Sequence, residues 1–278
     1  MKKHTLLFVL LLTISLHAKL NIISSILPEQ TFIQAIGGDK VSVSLMVKPG
    51  NSPHTYEPKP SQMKDISHAD LYLAIGVEFE KVWLPRFSSQ NSQMKVMDIS
   101  EGVEKLTITG GHEKKGEQHD PHIWTSPANV KIIAKNILAA LTQADSAHAV
   151  YYQKRYEALI AEVEQTDQII TGLLSTLAKE KRAFIVFHPS WGYFAKQYGL
   201  RQTPIEIGGK APKPHAVQEL IKHARELKIR TILTSPEFSD AIAKQIASEL
   251  GVKVLKISPL APDWSANLIR LAKAISAK

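Results

Sequence analysis

Cysteine is absent from all 278 residues of the chain. The sequence therefore excludes disulfide bonds, which stabilise many exported domains, and it excludes thiolate ligands to a metal. We also expect no lipid anchor on an N-terminal cysteine. Any metal site in this chain must be built from nitrogen and oxygen ligands.

The chain also lacks an apolar run long enough to span a bilayer, which requires about 20 residues. The run from Thr5 to Leu16 is shorter than this; it follows the basic pair Lys2 and Lys3 and precedes the small residue Ala18. This order is typical of a secretory signal peptide. We therefore expect residues 1–18 to be a signal peptide cleaved near Ala18, and the rest of the chain to be exported.

A concentrated block of basic charge is missing as well. The formal charge is +8, and it would fall by two, to +6, if Lys2 and Lys3 left with the signal peptide. The lysines are scattered among acidic residues along predicted helical faces. A surface for nucleic acid or anionic membrane would need them clustered. We therefore expect no nucleic-acid partner.

Short β-branched segments alternate with helical ones along the chain, which indicates parallel sheets covered by helices. The chain is long enough for two domains, and each half contributes four predicted strands. In the first half these are Asn21 to Ile26, Val41 to Val47, Asp70 to Ile75 and Lys95 to Ile99. In the second half they are Ala183 to Phe187, Thr203 to Ile207, Thr231 to Thr234 and Lys253 to Ile257.

Residues 146–181 contain no proline and a single glycine, Gly172, and their apolar side chains recur at helical spacing. We interpret the segment as one stiff helix, although two helices broken near Gly172 would give a similar pattern. The predicted fold is therefore α/β, with two similar four-stranded lobes joined by one long rigid helix. The lobes would comprise residues 19–145 and 182–278.

Three histidines occur in abrupt loops beside proline and a bulky aromatic residue. They are His54 in SPHTYEP, His122 in HDPHIW and His188 in FHPSWGYFA. His54 and His188 follow predicted strands, and ligands of doubly wound sheets bind beyond the carboxyl ends of strands. Neutral imidazole is the commonest protein ligand for zinc and similar metals. Together the three predict a metal site assembled from both halves of the chain.

The segment Thr107 to Asp120 has no periodicity and carries glycines, charges and two further histidines, His112 and His119. It is typical of an exposed loop. The two histidines could collect a second, weaker zinc ion, or they could be solvated loop residues without a ligand.

These motifs resemble those of the metal-binding solute receptors of zinc and manganese ABC importers, the periplasmic zinc-binding protein family. The segments SPHTYEPKPSQM, DPHIWTSP, FHPSWGYFAKQYGL and SPEFSD occur in the family's order. The resemblance extends over nearly all of the exported chain, including the long linking helix. It implies a periplasmic, monomeric protein that binds Zn²⁺ tightly and delivers it to the membrane permease of an ABC importer.

By the same resemblance His54, His122 and His188 match the family's three histidine ligands. The family commonly adds an aspartate in a DPL segment near the end of the chain, where this sequence has Ser258 in ISPLAPDW. A serine hydroxyl is a poor zinc ligand, so we expect a water or a neighbouring acid, such as Asp263 or Glu237, in the fourth position. Three imidazoles and one oxygen suit zinc, whereas manganese prefers more carboxylate oxygen.

Other functions are open at the level of sequence. Three histidines and a water also describe catalytic zinc, but the sequence contains no HExxH motif, and we expect no enzymatic activity. A manganese receptor or a metal-dependent adhesin of the same family remains an alternative. A receptor for an organic iron chelate or cobalamin would instead need arginines or aromatics converging on a bulky ligand.

Overall fold

The computed structural model describes residues 19–107, 119–178, 181–207, 210–227 and 229–277. The predicted signal peptide, residues 1–18, lies outside the described residues. So do His112 and most of the predicted loop around it. Within the described ranges, no helix has both the length and the apolar character needed to cross a membrane.

Two four-stranded parallel sheets form the framework, so the predicted α/β fold with two similar lobes is confirmed. The strand order is β2-β1-β3-β4 in the first sheet and β6-β5-β7-β8 in the second, which is the same topology twice. The strands of the first sheet are β1 (Leu20–Ser24), β2 (Val41–Leu45), β3 (Leu71–Ala74) and β4 (Lys95–Asp98). Those of the second are β5 (Ala183–Val186), β6 (Arg201–Pro204), β7 (Thr231–Thr234) and β8 (Lys253–Lys256).

Nine α-helices occur in the described residues, and most of them connect the strands. They are α1 (Leu27–Gly37), α2 (Pro60–Ser67), α3 (Glu78–Gln90), α4 (Pro127–Ala144), α5 (Ala149–Ser175), α6 (Gly192–Tyr198), α7 (Pro214–Glu226), α8 (Ala241–Leu250) and α9 (Trp264–Ser276). Several begin with a proline in the first turn, where the missing N–H has no helical partner to lose.

The strand β6 begins two residues before the predicted segment Thr203 to Ile207 and ends three residues before the end of that segment. Arg201 pairs with Ala183 in parallel register, and Pro204 is the last residue of the strand. Beyond Pro204 the N–H groups of Ile205 and Glu206 still donate to the Val186 and Phe187 carbonyls, at 2.8 and 3.1 Å, so the pairing continues past the end of the strand and brings Glu206 beside His188.

The long helix α5 has 27 residues and runs through Gly172 without a break. At 1.5 Å per residue it is about 40 Å long. It begins after a 3₁₀ turn over Ser146–His148 and ends at Ser175, so it is shorter at both ends than the predicted 146–181 segment. It packs against α1 and α4 of the first lobe and against α9 at the end of the chain.

One apolar core therefore extends from the first sheet through α5 to α9, and a smaller core lies between the second sheet and the helices α7 and α8. Trp264 at the start of α9 packs edge-on against Phe32 of α1, with ring centroids 5.6 Å apart. The lobes are thus joined by α9 as well as by α5, a second connection that the sequence did not reveal.

Candidate metal centre

The carboxyl edges of the two sheets face a common cleft, and the structure brings the three predicted histidines together there. His54 lies on the loop after β2, His188 follows β5, and His122 precedes a 3₁₀ turn over Ile123–Thr125. One ring nitrogen of each lies within 4.8 Å of a ring nitrogen of the other two. Among the described residues, no carboxylate oxygen joins this group.

Each of these imidazoles is held by a carboxylate at its Nδ1 atom. The three nitrogen–oxygen pairs are His122 Nδ1 and Asp120 Oδ1 at 2.7 Å, His188 Nδ1 and Glu206 Oε1 at 2.7 Å, and His54 Nδ1 and Glu78 Oε1 at 3.0 Å. A proton on Nδ1 that is donated to a carboxylate leaves the Nε2 lone pair free for a metal. This carboxylate–histidine arrangement also fixes the ring orientation and makes the imidazole a better ligand.

The His122 loop is built around its own carboxylate. Asp120 Oδ1 also accepts a hydrogen bond from the His122 backbone N–H at 2.9 Å, and Tyr193 donates its hydroxyl to the Asp120 carbonyl at 2.8 Å. A Cβ atom on Gly192 would come within 2.6 Å of Asp120 Oδ2. Glycine at the start of α6 therefore gives Asp120 the space to reach His122.

The environment shifts the pKa values of two of the histidines in opposite directions. Burial lowers the pKa of His54, but the hydrogen bond and negative charge of Glu78 raise it more, so the net shift is upward. Burial also lowers the pKa of His188, and the hydrogen bond to Glu206 does not fully offset it. Burial raises the pKa of Glu78, but the bond from His54 outweighs this and lowers it overall. His54 and Glu78 therefore stabilise each other's charged form.

The three rings line a small cavity with a volume of about 20 Å³, which is room for roughly one ion or water molecule. Its remaining wall is largely apolar, and Phe238 stacks on His188 with ring centroids 4.8 Å apart. Two carboxylates, Glu78 and Glu237, complete the lining. A site that is mostly buried in this way strengthens the attraction between a cation and the surrounding acids.

The residues considered for the fourth ligand position lie at different distances from the cavity. Ser258 donates its hydroxyl to Glu237 Oε1 at 2.8 Å, and Glu237 lines the cavity. Asp263 lies away from the cavity at the beginning of α9, is half exposed, and approaches Arg270 at 3.8 Å. Of the two acids suggested by sequence, Glu237 lines the cavity and Asp263 does not. The other loop histidine, His119, pairs with Thr107 in an isolated antiparallel bridge.

Sequence reasoning missed the three carboxylates behind the histidines. Asp120 carried a signal, because it stands two residues before His122 within the DPH motif. Glu78 resembles an ordinary acid in the first turn of a helix, where it favours the helix dipole. Glu206 lay inside a predicted strand, and the observed register of that segment against β5 brings it beside His188.

Comparisons with known proteins agree on one family. A sequence model of the family described as periplasmic component A of the zinc-uptake complex matches residues 22–276. The chain is 30% identical over 256 residues to the high-affinity zinc uptake system protein ZnuA of Bacillus subtilis, covering 87% of this chain and 79% of that protein. It is 29% identical over 238 residues to the iron-binding protein YfeA of Yersinia pestis, covering 84% of this chain and 75% of that protein.

A solved structure has the same architecture. A crystal structure of ZnuA superposes on this chain with a TM-score of 0.87 and 39% sequence identity, and the match covers 93% of this chain and 98% of that one. At this identity and coverage, both lobes and the connection between them correspond.

Proposed function

The chain belongs to the family of periplasmic component A proteins of zinc-uptake complexes, and we propose that it binds Zn²⁺ between its two lobes and delivers the ion to the permease of an ABC importer. The observation that carries the proposal is the convergence of His54, His122 and His188 within 4.8 Å. Each imidazole is backed by its own carboxylate, as in a site prepared for a divalent cation.

Zinc is the cargo that fits the donor set best. Three imidazoles and one oxygen match tetrahedral Zn²⁺, whose nitrogen ligands lie about 2.0–2.1 Å from the metal. Manganese, and to a lesser degree iron, would favour more oxygen in the first shell. Because one relative is named as an iron-binding protein, the identity of the metal has to be measured. A manganese receptor and a metal-dependent adhesin are the alternative functions.

The site would work as a clamp between the lobes. His54 and His122 would bind the ion from the first lobe and His188 from the second. The helices α5 and α9 both pack across the two halves of the molecule, and they would limit opening to a small movement. Loss of the ion would remove the cation that balances several carboxylates in the cleft. Without the ion, repulsion between these carboxylates would favour separation of the lobes. Release of the ion to the permease would therefore be coupled to opening of the lobes.

We infer that the protein is not an enzyme. A cavity of about 20 Å³ has no room for an organic substrate beside a metal ion. The same size argues against an organic iron chelate or cobalamin.

The protein would act as a monomer exported to the periplasm, with residues 1–18 as signal peptide. Its parts would be the lobes 19–145 and 182–278 and the linking segment 146–181.

Metal analysis of the purified protein tests the proposal directly. We expect about one zinc per chain after exposure to zinc, and a titration in metal buffers should rank zinc above manganese and iron. A stoichiometry near zero, or a preference for manganese, would contradict the proposal. Bound zinc should also raise the melting temperature, since a ligand at a hundredfold excess over its Kd stabilises the folded state by about 2.7 kcal/mol.

A further inference from the structure

One oxygen of the Glu237 carboxylate accepts a hydrogen bond, and the other has no hydrogen-bond partner among the described residues. Glu237 follows β7, at the strand position in the second sheet that corresponds to β3 in the first. Its Oε1 accepts the hydroxyl of Ser258 at 2.8 Å. Its Oε2 is buried and has no hydrogen-bond partner among the described residues. A buried carboxylate oxygen without a partner is destabilising, so this atom is suited to a group that arrives with the cargo.

The proton of Ser258 is directed to Glu237 by the backbone around it. The N–H of Leu260 donates to Ser258 Oγ at 3.0 Å, so the single hydroxyl hydrogen is available for Glu237 Oε1. The carbonyl of Ser258 accepts from the Asn267 side chain at 2.7 Å. The indole N–H of Trp124 donates to the Pro259 carbonyl at 2.7 Å, which connects this loop to the segment that carries His122.

Direct coordination by Glu237 does not fit the observed spacing. An oxygen bound at about 2.0 Å to a tetrahedral zinc would lie about 3.3 Å from each ligand nitrogen. In the described part of the chain, no carboxylate oxygen comes within 4.8 Å of all three histidine nitrogens. Glu237 nevertheless lines the same cavity, and one water molecule can bridge such a gap.

Glu78 is the other acid in the cavity, and it also has a buried oxygen without a described partner. Its Oε1 already contacts His54 Nδ1, which is the side of the ring opposite the Nε2 atom. Glu78 is therefore positioned to orient His54, whereas Glu237 contacts none of the three imidazole nitrogens through a hydrogen bond. This difference favours Glu237 as the acid that faces the fourth coordination position of the ion.

We propose that the fourth ligand of the bound ion is a water molecule that donates a hydrogen bond to Glu237 Oε2, with Ser258 holding the carboxylate in place. The inference rests on the zinc-binding function proposed above. Glu237 and Ser258 are then positioning residues, and together they replace the direct carboxylate expected at position 258. The negative charge of Glu237 stays near the cation, but a water molecule lies between the carboxylate and the ion.

Zinc affinity and cobalt spectroscopy of the purified protein test this assignment. Glu237→Gln keeps the size of the side chain and removes its charge, and Glu219→Gln on the exposed face of α7 is the matched control. Competition with a chelator should show that Glu237→Gln weakens zinc about tenfold to a hundredfold, the usual effect of losing an outer-shell partner. Ser258→Ala should weaken it less, and the control should equal the wild type.

The spectroscopic signature separates this role from a general structural one. X-ray absorption should give three imidazole nitrogens and one oxygen in both the wild type and Glu237→Gln. The visible bands of bound Co²⁺ should shift in Glu237→Gln and stay unchanged in Glu219→Gln. Melting temperatures of the metal-free proteins check that the variants fold.

Three results would overturn the inference while leaving zinc binding in place. They are unchanged affinity and spectra in Glu237→Gln, a carboxylate bound directly to zinc in the wild type, and a cobalt shift in Glu78→Gln but not in Glu237→Gln. A wild-type protein that binds neither zinc nor cobalt would instead contradict the proposed function itself.

Discussion

The Nε2 atoms of His54 and His188 lie 2.9 Å apart, although the two residues are 134 positions apart and come from different lobes. Two nitrogens bound to one tetrahedral zinc would be about 3.3 Å apart. The lobes therefore already stand at nearly the separation that a shared metal ion requires. Binding would need only a small movement of the rings, and the geometry corresponds to the closed form of a clamp.

Removal of His188 should abolish tight zinc binding. The variant His188→Ala takes away the only one of the three imidazoles that the second lobe supplies, so the ion could no longer connect the lobes. Loss of an outer-shell partner usually costs tenfold to a hundredfold in affinity, and loss of the ligand itself should cost more than about a hundredfold. Chelator competition measures the change.

The control for this experiment is His68→Ala, because His68 is exposed at the end of α2. It should bind zinc like the wild type. Full affinity in His188→Ala would show that the site does not span the lobes, and the clamp would be wrong.

Deletion of residues 110–118 should leave the primary site intact. Thr107 and His119 form an antiparallel bridge, and the Asp120 N–H donates to the Leu106 carbonyl at 2.7 Å. The deletion would leave residues 108 and 109 between these paired ends, and a two-residue connection is a common hairpin length. We expect unchanged affinity for the first zinc and loss of at most a weaker second one.

Zinc stoichiometry and affinity of the deletion variant decide this point. His122 lies outside the deleted segment, as do His54 and His188. A weakened primary site would mean that the loop contributes a ligand, contrary to the sequence interpretation of His112.

The buried carboxyl of Glu80 should make the stability of the metal-free protein depend on pH. Burial raises its pKa to about 7, although Ser25 and the N–H groups of Ile75 and Gly76 donate hydrogen bonds to it. A pKa that is higher in the folded state means that the folded state binds the proton more strongly. The resulting stabilisation is present below about pH 4.5, the unfolded value, and is lost as the pH rises through about 7.

Glu80→Gln should therefore flatten the decline in stability between pH 5 and pH 7.5. The full effect of a shift from 4.5 to about 7 is of the order of 3 kcal/mol. Glu29, whose pKa burial also raises, would leave some pH dependence in the variant. Urea unfolding in the presence of a chelator measures the difference, with Glu219→Gln as control. Equal pH dependence in the wild type and Glu80→Gln would contradict the pKa assigned to Glu80.

The sequence predicted the fold well because each predictive signal is local. Alternating β-branched and helical segments define parallel strands wherever they occur, and the proline-free segment containing Gly172 is one helix. The structure also brings the three predicted histidines together, since each stands in its own rigid motif. Their role as ligands stays a prediction.

The supporting carboxylates could not be predicted in the same way, because their partners are distant in sequence or hidden by local patterns. Glu206 approaches His188 because the register of β6 against β5 continues to the bond from the Glu206 N–H to the Phe187 carbonyl. The bond from Ser258 to Glu237 joins loops after two different strands, β8 and β7. The sequence indicated Ser258 only as the place where an aspartate was missing.

The exchange of carboxylates between positions 237 and 258 gives the sharpest prediction. From sequence alone, Ser258→Asp should tighten zinc by restoring the usual carboxylate. In the structure the side chain at 258 contacts Glu237 at 2.8 Å, so the new aspartate would stand against an existing acid in a buried site. Two carboxylates in such contact favour sharing a proton, which zinc would have to displace, and this cost should cancel most of the gain. The single variant should therefore bind zinc no more tightly than the wild type.

The double variant Ser258→Asp with Glu237→Gln should behave differently. It keeps one carboxylate, lets the glutamine amide donate to the introduced aspartate, and brings the charge to the position that the family uses for direct coordination. It should bind zinc more tightly than either single variant, and X-ray absorption should detect a carboxylate oxygen in place of water. If Ser258→Asp alone bound zinc much more tightly than the wild type, Glu237 would not oppose the introduced aspartate. A double variant no better than Glu237→Gln would show that position 258 cannot reach the ion, so that in this protein the carboxylate at 237 has no substitute.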